Sequence, residues 1–105
     1  MPEMLLVSAG FDAHWTDLMA RQRLTIDGYG HLVKHLVDWS DQNCAGRIAL
    51  ILEGGYDLDA LGYCATAATQ VLLGRPWVDP LGASPYPESN EWQEMLARLT
   101  RAHLV

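Results

Sequence analysis

At 105 residues the chain can build one small domain around one hydrophobic core and no more. Half of its residues are hydrophobic and 19% are charged, an ordinary globular composition that excludes extended disorder. A net charge of −6, with only seven Lys and Arg, excludes a surface built to neutralise a nucleic-acid backbone and leaves an acidic, solvated one.

Met4–Ser8 (MLLVS) is a short continuous apolar run, suited to a strand buried on both faces. Ala9–Leu24 has no helical period and reads as a long loop. Thr25 is placed to cap a helix, with Asp27 favourable in its first turn; Ile26, Tyr29, Val33, Leu36 and Val37 then recur at helical spacing as far as about Trp39. Gly28 and Gly30 each weaken that helix by roughly 1 kcal/mol relative to Ala, so packing must supply its stability. After the polar turn SDQNCAG, Arg47–Leu52 (RIALIL) forms a second buried strand, which EGGY interrupts. Asp57 caps a second helix running to about Leu73, with Leu61, Cys64, Ala65, Ala68, Val71 and Leu72 on one side; Gly74 and Pro76 stop it. Residues 75–88 carry four of the five prolines and are expected to be irregular and superficial. Ser89 or Asn90 opens a terminal helix over 89–103, with Trp92, Leu96 and Leu99 on its apolar face. Trp39, Trp77 and Trp92 read as packing anchors.

Strand–helix–strand–helix–helix order predicts an α/β fold with parallel strands joined by a right-handed crossover. Ligands of such sheets gather beyond the carboxyl ends of the strands. SAGFDAH and EGGY both fall there. Two parallel strands bury little surface, so an exposed apolar sheet edge and association with further protein are expected. The start MPEMLLVSAGF lacks a basic n-region, and no segment reaches the roughly 18 apolar residues of a membrane span. Cys44 and Cys64 fit two reduced thiols in a cytoplasmic protein, with a disulfide left open.

Taken together, LLVSAGFDAHWTD, RLTIDGYGHLVKHLVDWSD and RIALILEGGYDLDALGYCATAATQVLLG resemble the C-terminal third of the histone deacetylase superfamily. The resemblance runs from about Met4 to Gly74 and is nearest to the bacterial histone-deacetylase-like, acetoin-utilisation and acetylpolyamine-amidohydrolase members. It implies the C-terminal part of an arginase-like parallel-sheet fold and one catalytic zinc. That zinc is held in the family by an Asp-x-His pair and a later Asp, to which Asp12 corresponds. Gly54-Gly55-Tyr56 matches the motif of the family's catalytic Tyr, and relatives with His there are poor deacetylases. Met19 matches a residue near the rim of the acyl-lysine tunnel, and Gly54 and Gly55 line the same substrate region.

The implied chemistry suits these residue types. A catalytic zinc keeps three protein ligands and an open position. A tyrosine hydroxyl can donate to a developing oxyanion, a contribution of roughly 2.7–4 kcal/mol. Glycines before it allow backbone conformations that a Cβ forbids. Asp12-Ala13-His14 also spells Asp-x-His, and in an extended segment both side chains point the same way. Its flanks nevertheless match the later-aspartate loop, so His14 is read as a non-ligand. Glu53 is read as serving loop structure. His31 and His35, four apart on a helix, could clip a metal but lack a third ligand in view.

The family's His-His pair, its own Asp-x-His motif and its glycine-rich substrate loop have no counterpart here. Residues 1–105 are therefore expected to form a single partial domain, partnered by a missing N-terminal portion or by self-association. The function implied is zinc-dependent hydrolysis of acetyl-lysine or acetylated amines, without nucleic-acid or membrane partners. The alternative is a truncated remnant or interaction subunit, inactive because one aspartate cannot hold a catalytic zinc.

Overall fold

The computed structural model describes residues 1–87 and 89–103. Its elements are β1 (Leu5–Gly10), α1 (Ile26–Asn43), β2 (Ile48–Gly54), α2 (Leu58–Leu72) and α3 (Glu91–His103). β1 and β2 pair in parallel, which the intervening helix makes possible because parallel neighbours need a crossover connection. Both strands continue two residues past their apolar runs. The backbone ladder, not side-chain hydrophobicity, sets their ends, and the Phe11 N–H still donates to the Gly54 carbonyl at 2.8 Å. Ala9 faces Leu52 and Gly10 faces Gly54, leaving Glu53 as an extra residue in β2. Such a bulge bends a strand and re-aims the residues beyond it. EGGY thus begins inside the strand that it was expected to break.

The Thr25 hydroxyl accepts the Gly28 N–H at 2.8 Å and starts α1. The helix passes Trp39 and ends at Asn43, where Ala45 (φ 52°) and Gly46 (φ 74°) turn the chain. Asp57 accepts the Ala60 N–H at 2.9 Å and starts α2. The two helices pack together on one face of the sheet. Ile26, Tyr29 and Val33 of α1 meet Cys64, Ala67, Ala68 and Val71 of α2, over Ala9, Val7 and Leu50. The buried face of α2 includes Ala60 and Ala67, whereas Ala65 and Leu72 are exposed. Both cysteines are free and buried.

Among the described residues nothing covers the opposite sheet face: Leu6 and Ile51 alternate away from the helices and are exposed. Trp92, Met95, Leu96 and Leu99 of α3 are exposed too, as is Trp39. Among the described residues neither Trp39 nor Trp92 packs against the core, contrary to expectation. Periodicity identifies an apolar stripe without identifying what covers it. No described helix is long and apolar enough to cross a membrane.

Residues 75–87 are irregular yet tied across the start of α1. The Trp77 indole lies on Gly30, and its Nε1 donates to Asp27 at 3.0 Å. Asp79 accepts the Asp27 N–H at 3.1 Å, Trp15 Nε1 donates to the Gly82 carbonyl at 2.9 Å, and Arg23 donates to the Pro87 carbonyl. A Cβ at Gly30 would overlap the indole, whereas one at Gly62 meets nothing within 4 Å. Gly30→Ala is therefore expected to lower the unfolding temperature, since overpacking costs about 1–3 kcal/mol against about 1 kcal/mol of helix propensity gained. Gly62→Ala is expected to raise it. Paired thermal melts check the opposite signs.

Candidate active site

β1 and β2 deliver their following loops side by side. A Cβ at Gly10 would stand 3.0 Å from Asp12 Oδ1, and a Cβ at Gly54 would stand 3.3 Å from the same oxygen. The Gly54 position also lies 3.7 Å from the Tyr56 hydroxyl. Two glycines thus leave the space in which the Asp12 carboxylate and the Tyr56 phenol converge. Gly55 has a different task. Its φ of 138° suits only glycine, and a Cβ would come within 2.9 Å of Leu61 Cδ1. Tyr56 is 60% exposed, Asp12 is partly buried, and Met19, further along the loop that carries Asp12, is exposed.

Two buried residues hold these loops, and neither was legible as doing so. Tyr29, part of the expected core face of α1, accepts the Ala13 N–H at 3.0 Å through its hydroxyl. Burial pushes that phenol up to about 12. Asp17 is only 3% exposed. Its Oδ2 accepts the N–H groups of Tyr56 at 2.7 Å and Asp57 at 3.1 Å, and its Oδ1 accepts that of Met19 at 2.9 Å. Burial pushes the Asp17 carboxyl up, but these three donors outweigh it and hold it below its ordinary 3.8. The only available sequence signal was an acidic residue inside a loop already rich in chemistry.

A depressed folded-state pKa means that Asp17 stabilises the fold fully above the unfolded value of 3.8, and that this contribution is lost as pH falls through the folded value. The stability difference between the native chain and Asp17→Asn is therefore expected to shrink on acidification below about pH 4, the ordinary carboxylate range. Urea unfolding over a pH series measures it.

His14 is fully buried. Its Nδ1 accepts the Thr16 N–H at 3.1 Å and lies 2.9 Å from the Thr16 hydroxyl, so the neutral ring carries its proton on Nε2. Burial lowers its pKa, against the raising influence of Asp79, Asp57 and Asp17. His31 faces Asp27 at 3.4 Å and packs edge-on to Trp77. Among the described residues no three His, Cys, Asp or Glu side chains gather as a metal cluster. Asp12 therefore stands here as a single potential ligand. Burial pushes the Cys64 thiol up to about 12, which suits an inert core position.

Open α/β sheets in general carry their chemistry beyond the strand ends; the solved neighbours narrow this unit to the arginase/deacetylase fold. The solved structure of the histone deacetylase Clr3 superposes with a TM-score of 0.74 and 29% identity, covering 94% of this chain and 16% of that one. Residues 1–72 match the Histone deacetylase domain. Histone deacetylase HDA1 of Candida albicans is 36% identical over 90 residues, which is 86% of this chain and 10% of that protein. A probable deacetylase of Archaeoglobus fulgidus is 38% identical over 74 residues, which is 70% of this chain and 21% of that protein. The chain belongs to the histone deacetylase family, and it spans only these small shares of its relatives' lengths.

Proposed function

We propose that this chain forms the C-terminal part of a zinc-dependent deacetylase that hydrolyses acetyl-lysine or acetylated amines. One observation carries the reading: in a chain of this family, the Asp12 carboxylate and the Tyr56 hydroxyl converge over Gly54. The residues suit zinc as a partial donor set, because an oxygen of a partly exposed carboxylate lies in space that two Cβ atoms would otherwise crowd. Asp12 supplies that oxygen and its negative charge. When bound, zinc polarises the substrate carbonyl and lowers the pKa of a water toward about 7. Tyr56 donates its hydroxyl proton in a hydrogen bond to the carbonyl oxygen as charge develops there. Gly54 and Gly55 border the acyl group, and Met19 offers an apolar rim to the aliphatic stem. The other ligands and the general base come from protein outside these 105 residues. Two free buried thiols suit a reducing, cytoplasmic setting.

The lone carboxylate favours one further expectation, that this chain is inactive alone. The test compares turnover of a fluorogenic acetyl-lysine substrate by the chain and by a protein joining it to the preceding part of a deacetylase domain. Zinc-dependent, chelator-sensitive turnover by the joined protein alone supports the reading. A folded, zinc-loaded but inactive joined protein favours the interaction-subunit alternative. Turnover by the chain alone overturns the single-ligand assignment.

A further inference from the structure

An oxyanion donor needs a fixed position, and Tyr56 is an exposed residue of this chain. It also follows Gly55, a residue whose backbone accepts many conformations when unconstrained. Among the described residues, what holds Tyr56 acts on its backbone. The Tyr56 N–H donates to Asp17 Oδ2, and the same oxygen takes the N–H of Asp57, the cap of α2. The other oxygen takes the N–H of Met19. Asp17 lies five positions beyond Asp12 in one loop, and Tyr56 belongs to the other. One buried carboxylate thus joins the loop bearing Asp12 to the loop bearing Tyr56, and holds the Met19 rim in the same grip.

We propose that Asp17 is the positioning residue of this site, setting the Tyr56 phenol relative to Asp12 through the backbone of Tyr56. Its catalytic consequence rests on the reading of Tyr56 as the oxyanion donor. The chemistry demands an acid here. A carboxylate accepts at both oxygens, whereas an amide has one accepting oxygen and turns two N–H donors toward the third backbone donor. No cation is required, because charged acceptors form strong hydrogen bonds with backbone N–H groups and the start of α2 favours negative charge. Asp17→Asn can still serve the Tyr56–Asp57 pair or Met19, but not both. Asp17→Ala serves neither.

Amide hydrogen exchange on the isotopically labelled 105-residue chain reads this directly. In Asp17→Ala, exchange at Tyr56, Asp57 and Met19 is expected to quicken by about 10- to 100-fold, the equilibrium factor of a hydrogen bond to a charged group. Amides in the middle of α1 should stay unchanged. In Asp17→Asn one oxygen's donors should quicken and the other's should not, which keeps the test decisive if Asp17→Ala does not fold. In the joined deacetylase, Asp17→Ala should lower kcat by about 10²-fold with zinc content retained, the lower end for a lost oxyanion donor. Tyr56 and Asp57 amides indifferent to both substitutions overturn the proposal, even if Tyr56→Phe proves inactive. Quickened amides beside a fully active Tyr56→Phe support the clamp but overturn the oxyanion reading.

Discussion

Asp12→Ala in the joined deacetylase is expected to abolish zinc binding and turnover together, whereas Tyr56→Phe should lower kcat by about 10²–10³-fold with zinc retained, the effect of one lost oxyanion donor. The two side chains approach the same glycine, yet the roles proposed for them differ. On the proposed reading the carboxylate is a charged ligand, and without it the remaining donors fall below the three that a catalytic zinc keeps. The phenol only donates a hydrogen bond, and phenylalanine preserves its ring while removing that donor. Metal analysis by mass spectrometry alongside steady-state kinetics separates them. Retained stoichiometric zinc in Asp12→Ala would remove Asp12 from the ligand set. Unchanged kcat in Tyr56→Phe would remove the oxyanion role.

Ile26→Ala is expected to destabilise the chain by about 2–5 kcal/mol, the range for a buried aliphatic truncation. Ile26 is fully buried at the first position of α1, in the cluster that includes Tyr29, Phe11 and Cys64. Each kcal/mol shifts the melting temperature of a domain this size by about 4–8 °C, so a fall of at least about 8 °C is expected in calorimetry. The consequence reaches the site, because Tyr29 one turn along holds the Ala13 N–H beside Asp12. A melting temperature unchanged within error would mean that the core is not organised around α1.

Much of this architecture was written in short-range pattern. Thr25 and Asp57 cap the helices they were expected to cap, because a side-chain oxygen and an N–H three residues on are a local matter. The apolar runs located both strands, and the motifs GFDAH and GGY lie at their carboxyl ends. Strand ends were less legible, since Gly10 and Gly54 join through backbone pairing that has no side-chain signature. The fate of the tryptophans was not legible at all. Trp77 finds a glycine surface on α1 nearly fifty residues earlier, while Trp39 and Trp92 meet solvent.

The residues with chemistry to offer, Asp12 and Tyr56, could be named from the chain, because functional groups and the glycines around them are encoded locally. Their arrangement could not. The Tyr29 bond to Ala13 and the three-way grip of Asp17 span from 2 to 40 positions of the chain, and the bulge at Glu53 lies between strands further apart still. Most of these partners are brought together only when the sheet and helices pack, and an aspartate in a loop carries no mark of the backbone it will hold.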